Sequence, residues 1–160
     1  MQIYLSGPLF TQGQRRWNRT LARGLEQRIA GARVVLPQDY RVDSSFNRRT
    51  DFPHLFKSCV DDTRAADVLV AVLDGPDVDS GTAFEMGIAY ERGIPIVGVR
   101  TDYRESQQKG VNLMIAGACT VFLREMAFGE DVDQLLKDLA DKVVRALQRA
   151  GRRDQAKDQD

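Results

Sequence analysis

The run Asp67-Val68-Leu69-Val70-Ala71-Val72-Leu73-Asp74 constrains the fold more than any other part of the chain. Its interior is apolar at every position, so no face is left for water, and it reads as a strand covered on both sides. Helices packed on both faces of a parallel sheet provide that cover. The remaining sequence supplies matching parts. Shorter β-prone runs lie at Gln2–Leu5, Val34–Leu36, Ile94–Val99 and Cys119–Leu123. Between them, Trp17, Leu21, Leu25 and Ile29 recur at four-residue spacing in an Arg-rich stretch from Gln14, which Gly31 stops. Phe52–Ala66 and Thr82–Arg92 also read as helices, and Asn112-Leu113-Met114 opens a short one. A last helix, Val132 to Ala150, carries Leu135, Leu136, Leu139, Val143 and Leu147 on one face. Strands alternating with helices predict a doubly wound α/β sandwich with about five parallel strands.

This sandwich, flavodoxin-like or Rossmann-like, fits one domain over residues 1–150; residues 151–160 contain no aliphatic side chain larger than alanine and are expected to form a disordered tail. The 160 residues carry 23 basic and 23 acidic side chains, a net charge of zero, which disfavours a nucleic acid polymer or an anionic membrane as partner. Cys59 and Cys119 form no CxxC pair and have only His54 beside them. They are read as reduced, buried thiols of a cytoplasmic protein, with no metal site. No apolar stretch reaches the length of a membrane span and no signal peptide is recognisable, so a soluble chain is expected. Gly81 and Gly87 fit neither GxGxxG nor GxxxxGK, and no cofactor is called for.

In such sheets ligands bind beyond the carboxyl ends of the strands. The residues there are Ser6-Gly7-Pro8, Pro37-Gln38-Asp39, Asp74 through Glu85, and Arg100-Thr101-Asp102. Asp74, Asp77, Asp79 and Glu85 crowd one strand end and one helix start. Glu85 is expected on the first turn of that helix, where unpaired N–H groups and the dipole favour a carboxylate. Apolar Phe84 and Met86 flank it, an environment suited to covalent attack on an electrophilic carbon. The simpler alternative is that Asp79 or Thr82 caps the helix and Glu85 complements the dipole. A magnesium site would need adjacent acids after the first strand, and residues 1–10 contain none.

Ile3-Tyr4-Leu5-Ser6-Gly7-Pro8-Leu9-Phe10, Ala66-Asp67-Val68, Asp79-Ser80-Gly81-Thr82-Ala83-Phe84-Glu85-Met86-Gly87 with Ala89-Tyr90, and Asn112-Leu113-Met114 follow one another in the order seen in the nucleoside 2-deoxyribosyltransferase family. The chain resembles that family from residue 3 to about residue 123. The resemblance implies transfer of a 2-deoxyribosyl group between nucleobases by double displacement, in nucleoside salvage, with Glu85 as the nucleophile. Tyr4 matches the tyrosine that orients the glutamate, Asp79 the acid that binds sugar hydroxyls, and Phe10 an aromatic wall for the base. Gly7 and Met114 fall inside the matched motifs and join the substrate-binding set. Asn112 matches a residue that reaches the site of a neighbouring subunit, which implies a homo-oligomer, dimer or higher, up to a hexamer. Substrates would be 2′-deoxyribonucleosides and free purine or pyrimidine bases. The bland readings are core packing for Tyr4 and Phe10 and a helix cap for Asn112.

One departure stands out. Eight residues before Asp67, where many members carry the acid that protonates the departing base, this chain has Cys59. Asp62, one helical turn on, is the candidate to replace it. Gln38 and Asp39 are candidate contacts to the base edge, against a turn-forming role. Two other functions fit the same rim. A deoxynucleoside 5′-monophosphate N-glycosidase would use water as acceptor, but Asp79 would repel the phosphate at a cost on the order of 1 kcal/mol or more. A non-catalytic nucleotide-derivative sensor would need no Tyr4–Glu85 pair. The loops Arg41–Pro53 and Tyr103–Gly110 are where base specificity is expected to reside.

Overall fold

The computed structural model describes residues 1–40, 47–104, 111–126 and 131–157, and beyond residue 150 only the course of the final helix. Parts of both expected specificity loops, residues 41–46 and 105–110, lie outside the described residues. Five strands, β1 (Gln2–Ser6), β2 (Arg33–Val35), β3 (Val68–Val72), β4 (Ile96–Arg100) and β5 (Val121–Arg124), form one parallel sheet in the order β2-β1-β3-β4-β5. Among the described residues five α-helices accompany them: α1 (Gln12–Arg28), α2 (Asp51–Arg64), α3 (Ser80–Glu91), α4 (Leu113–Ala118) and α5 (Val132–Lys157). This is the flavodoxin-like arrangement. Its strand order reverses between β1 and β3, so the chain leaves these two neighbours toward opposite faces and a crevice opens between the exits.

Strand periodicity assigns each side chain to a layer. Ile3, Leu5, Val68, Val70, Val72, Val97 and Val99 pack with Leu21 and Leu25 of α1 and with Leu136, Leu139 and Val143 of α5. The alternate residues Tyr4, Leu69, Ala71, Leu73 and Ile96 pack with Met86 and Ala89 of α3 and Ile115 of α4. Every residue of β3 and β4 is buried, as the two-sided apolar run requires.

The helix boundaries follow local chemistry. Thr11 caps α1 through a capping box: its Oγ1 accepts from the Gln14 N–H at 3.2 Å, and the Gln14 Oε1 accepts from the Thr11 N–H at 2.9 Å. The helix therefore begins at Gln12, ahead of the Gln14 start that periodicity suggests. Beyond its end, Gly31 takes φ +71°, a conformation costly for residues with a Cβ, and turns the chain toward β2. At the other terminus α5 continues through Lys157, into the segment expected as a tail. Arg, Gln, Ala and Lys all have good helix propensity, which favours continuation of a helix already anchored by packing. Among the described residues no helix is long and apolar enough to cross a membrane.

Cys119, just after α4, and Leu73, just after β3, crowd the sheet at Gly98. A Cβ there would stand 2.7 Å from the Cys119 Sγ and 2.9 Å from the Leu73 Cδ1, so β4 carries glycine despite its low strand propensity. Overpacking outweighs propensity at such a site. Gly98→Val is expected to destabilise the protein by about 1–3 kcal/mol, a fall in Tm of roughly 2–4 °C per kcal/mol, measured by thermal unfolding.

Candidate active site

Strand β1 carries Tyr4 and Ser6 on the same face, and both are fully buried. Opposite them on α3 stands Glu85, half-buried. The Tyr4 hydroxyl donates to Glu85 Oε1 at 2.7 Å, and the Ser6 hydroxyl donates to Glu85 Oε2. Each carboxylate oxygen thus accepts one O–H and keeps further lone pairs for a ligand. Burial raises the Glu85 pKa above the ordinary glutamate value, the bonds from Ser6 and Tyr4 oppose the rise, and the nearby charge of Asp79 adds to it. Burial, followed by the charge of Glu85, pushes the Tyr4 phenol far above its usual range, so it remains a donor throughout the accessible pH range.

The helix start differs from expectation. Asp79 is the N-cap of α3, its Oδ2 accepting from the Thr82 N–H at 3.1 Å, and the helix begins at Ser80. Glu85 therefore lies in the second turn, past the unpaired N–H groups of the first, where the dipole effect has faded. The two hydroxyls of β1, not the helix end, stabilise its charge. Asp79 both caps the helix and lies close enough to Glu85 to be felt electrostatically.

Asp62 lies half-buried on α2 and accepts from the Tyr40 hydroxyl at 2.5 Å. Cys59, one turn earlier, is a free thiol; burial pushes its pKa up and Glu85 adds to the rise, so it stays protonated. Cys119 is free as well. Phe10 is 76% exposed, which rules out the core reading and leaves the ring open to a ligand. Gly7 is required by packing: a Cβ would come 2.9 Å from the Val72 Cβ. Asn112 is the exposed N-cap of α4, its Oδ1 accepting from the Met114 N–H at 2.9 Å, and Met114 is 78% exposed.

Gln38 and Asp39 are engaged elsewhere. Buried Gln38 donates from Nε2 to the Arg15 carbonyl at 3.0 Å and accepts at Oε1 from the Asn18 Nδ2 at 3.3 Å, which ties the end of β2 to α1. Asp39 pairs with both terminal nitrogens of Arg19 at the surface. Both candidates for reading a base edge are thereby held within the protein.

Two functional-looking residues gain no role from the sequence. Ser6 lies at the rim and inside the matched opening motif, two residues from Tyr4 on a strand, without being assigned to Glu85. Tyr40 has no signal. The crowding of acids at the rim also resolves into separate tasks. Asp74 accepts from the Thr101 N–H at 2.5 Å, the Thr101 hydroxyl at 2.8 Å and the Asp102 N–H at 2.9 Å. Arg100, 1% exposed, donates to the Leu73 and Gly75 carbonyls, and the Gly75 N–H donates to Asp102. These bonds fix the loop that carries Asp79 toward α3. Among the described residues no group of three or more His, Cys, Asp or Glu is placed to hold a metal ion.

Residues 3–114 match the family model of the nucleoside 2-deoxyribosyltransferases. The chain belongs to that family. A conserved protein of Enterococcus faecalis is 30% identical, with 86% of this chain and 98% of that chain covered at a TM-score of 0.67. The 2-deoxyribosyltransferase of Bacillus psychrosaccharolyticus is 22% identical, covering 88% and 90%, with a TM-score of 0.58. A CMP N-glycosidase of Clostridium botulinum is 18% identical, covering 87% and 98%, with a TM-score of 0.56. The last two likenesses concern the fold. No protein of curated function matches the chain. Family membership makes the protein an enzyme acting on nucleosides, by glycosyl transfer or hydrolysis.

Because burial raises the Glu85 pKa and the hydroxyls lower it, removing one hydroxyl has a defined sign. The Glu85 carboxyl, followed by 13C NMR, is expected to titrate above about 4.3, the ordinary glutamate value. Ser6→Ala and Tyr4→Phe should each move it higher. For stability the sign is the reverse of a salt-bridged acid: the raised folded-state pKa costs stability above it and nothing below the unfolded value. Glu85→Gln should therefore gain stability over the parent protein at neutral pH, and the gain should vanish as pH falls below about 4.

Proposed function

We propose that the protein transfers a 2-deoxyribosyl group from one nucleobase to another through a covalent ester on Glu85. The observation that carries this reading is the paired bonding of Tyr4 and Ser6 to the two oxygens of a half-buried carboxylate. Burial raises the basicity of Glu85 and hence its reactivity toward carbon, while the hydroxyls fix its direction. One Glu85 oxygen bonds to C1′ as the N-glycosidic bond breaks, and the bond pair leaves with the base, which takes a proton from Asp62. The second base attacks C1′ from the face the first one left, the ester C–O bond breaks, and the carboxylate is restored. Two inversions give net retention, as in retaining glycoside chemistry.

Asp79 favours a nucleoside over a nucleotide as substrate, since a second carboxylate beside Glu85 repels a phosphate dianion. Hydrolysis is the second reading, supported by the fold likeness to a CMP N-glycosidase. It uses the same ester with water in place of the acceptor base. Incubation with 2′-deoxyinosine and adenine separates the two. 2′-Deoxyadenosine is the product expected of transfer; hypoxanthine release without a new nucleoside would replace transfer by hydrolysis. Glu85→Ala should reduce either rate by about a thousandfold or more, and retained turnover would remove Glu85 from the nucleophile's role.

A complete site is proposed to need a second copy of the chain. The start of α4 supports this, because Asn112 is exposed and Leu113 and Met114 are apolar side chains 71% and 78% exposed. Light scattering should give a mass that is a multiple of 18.0 kDa, and Asn112→Ala should lower turnover with that mass unchanged. A fully active monomer would refute it.

A further inference from the structure

Tyr40 has no role in the reaction as described so far. It closes a short turn, Pro37–Asp39, in which its own N–H donates to the Pro37 carbonyl at 3.1 Å. The turn carries the chain from the end of β2 toward α2, where the half-buried Tyr40 hydroxyl donates to Asp62 Oδ2 at 2.5 Å. Helix α2, which carries Asp62, packs against α3, which carries Glu85, with the Phe56 and Phe84 rings 6.1 Å apart, and Tyr40 lies within electrostatic reach of Cys59 and Glu85. Cys59 occupies the turn before Asp62, and its raised thiol makes it a poor proton donor. Tyr40 itself is held protonated by burial and by the bond to Asp62, and is likewise unsuited to give up a proton.

Resting on the transfer reading above, we propose that Tyr40 is a positioning residue that aims the Asp62 carboxyl at the departing nucleobase. Occupation of Oδ2 by the phenol leaves Oδ1 as the oxygen that carries the proton. As the C1′–N bond breaks and its electron pair passes to the base, the Oδ1 proton moves to a ring nitrogen. The carboxylate left behind keeps the Tyr40 O–H as a donor, and this stabilises the product side of the proton transfer. In the second half-reaction the incoming base returns a proton to Oδ1, so Asp62 is ready for another cycle.

The test uses leaving groups that differ in their need for a proton. 2′-Deoxyinosine needs one, whereas N7-methyl-2′-deoxyguanosine already carries a cationic base that departs neutral. Tyr40→Phe should lower kcat on 2′-deoxyinosine by about 10- to 100-fold, with KM changed much less, and leave cleavage of the methylated nucleoside within about 2-fold. Asp62→Asn should show the same contrast, more strongly. Equal losses on both substrates would reduce Tyr40 to a support for the fold, and no loss on 2′-deoxyinosine would remove it from the reaction. Failure of the unsubstituted protein to cleave either nucleoside would overturn the transfer reading itself, and would be seen before any variant is made.

Discussion

A carboxylate between two buried hydroxyls is the constraint on which the rest of this molecule depends. Burying an ionised group without partners is prohibitively costly, so Glu85 can sit against the sheet only where donors await it. Tyr4 and Ser6 provide them from a single strand, at positions that share one face because strand side chains alternate. For both hydroxyls to be out of water, β1 must be flanked by neighbours, and β2 and β3 pair on either side of it. The parallel pairing then demands helical crossovers, and the reversal of order beside β1 opens the crevice at its carboxyl end. Strand order, helix placement and nucleophile environment are consequences of one another.

The layer structure was legible in the sequence because it follows from local periodicity. The apolar run of β3 and the four-residue stripe of α1 state burial directly, and the element order follows. The site was legible only where a motif marked it, at Tyr4, Asp79 and Glu85. Ser6, Tyr40 and the tether of Gln38 to Arg15 and Asn18 depend on which segments meet in three dimensions. A hydroxyl two residues from a tyrosine looks the same in sequence whether it meets a carboxylate or a carbonyl. The misplaced start of α3 has a related cause. Asp79 and Thr82 are both competent caps, and local chemistry alone does not say which one folds back on the N–H groups. Gly31, by contrast, was readable because a positive φ leaves few residues to choose from.

The acids that crowd the strand rim do unlike things. Asp74 ties β3 to the segment after β4, Asp102 is held by Arg104 and the Gly75 N–H, and Asp79 caps a helix. Asp79 is also close enough to Glu85 for its charge to be felt there. Neutrality of the whole chain therefore conceals a local asymmetry: Asp74 and Asp102 are taken up by the loops beside β4, while Asp79 and Glu85 share the start of α3.

The moorings of the loop between β3 and α3 have an evolutionary side. Arg100 grips it by the carbonyls of Leu73 and Gly75, and Asp102 grips it by the N–H of Gly75. These are main-chain atoms, which any residue would offer, although Gly75 itself is constrained by its φ of +118°. The exposed Asp77 side chain can thus be exchanged over generations without releasing the mooring, whereas Val78 is held by its packing against the core. The surface of this loop can therefore vary while α3, and Glu85 on it, stays in register.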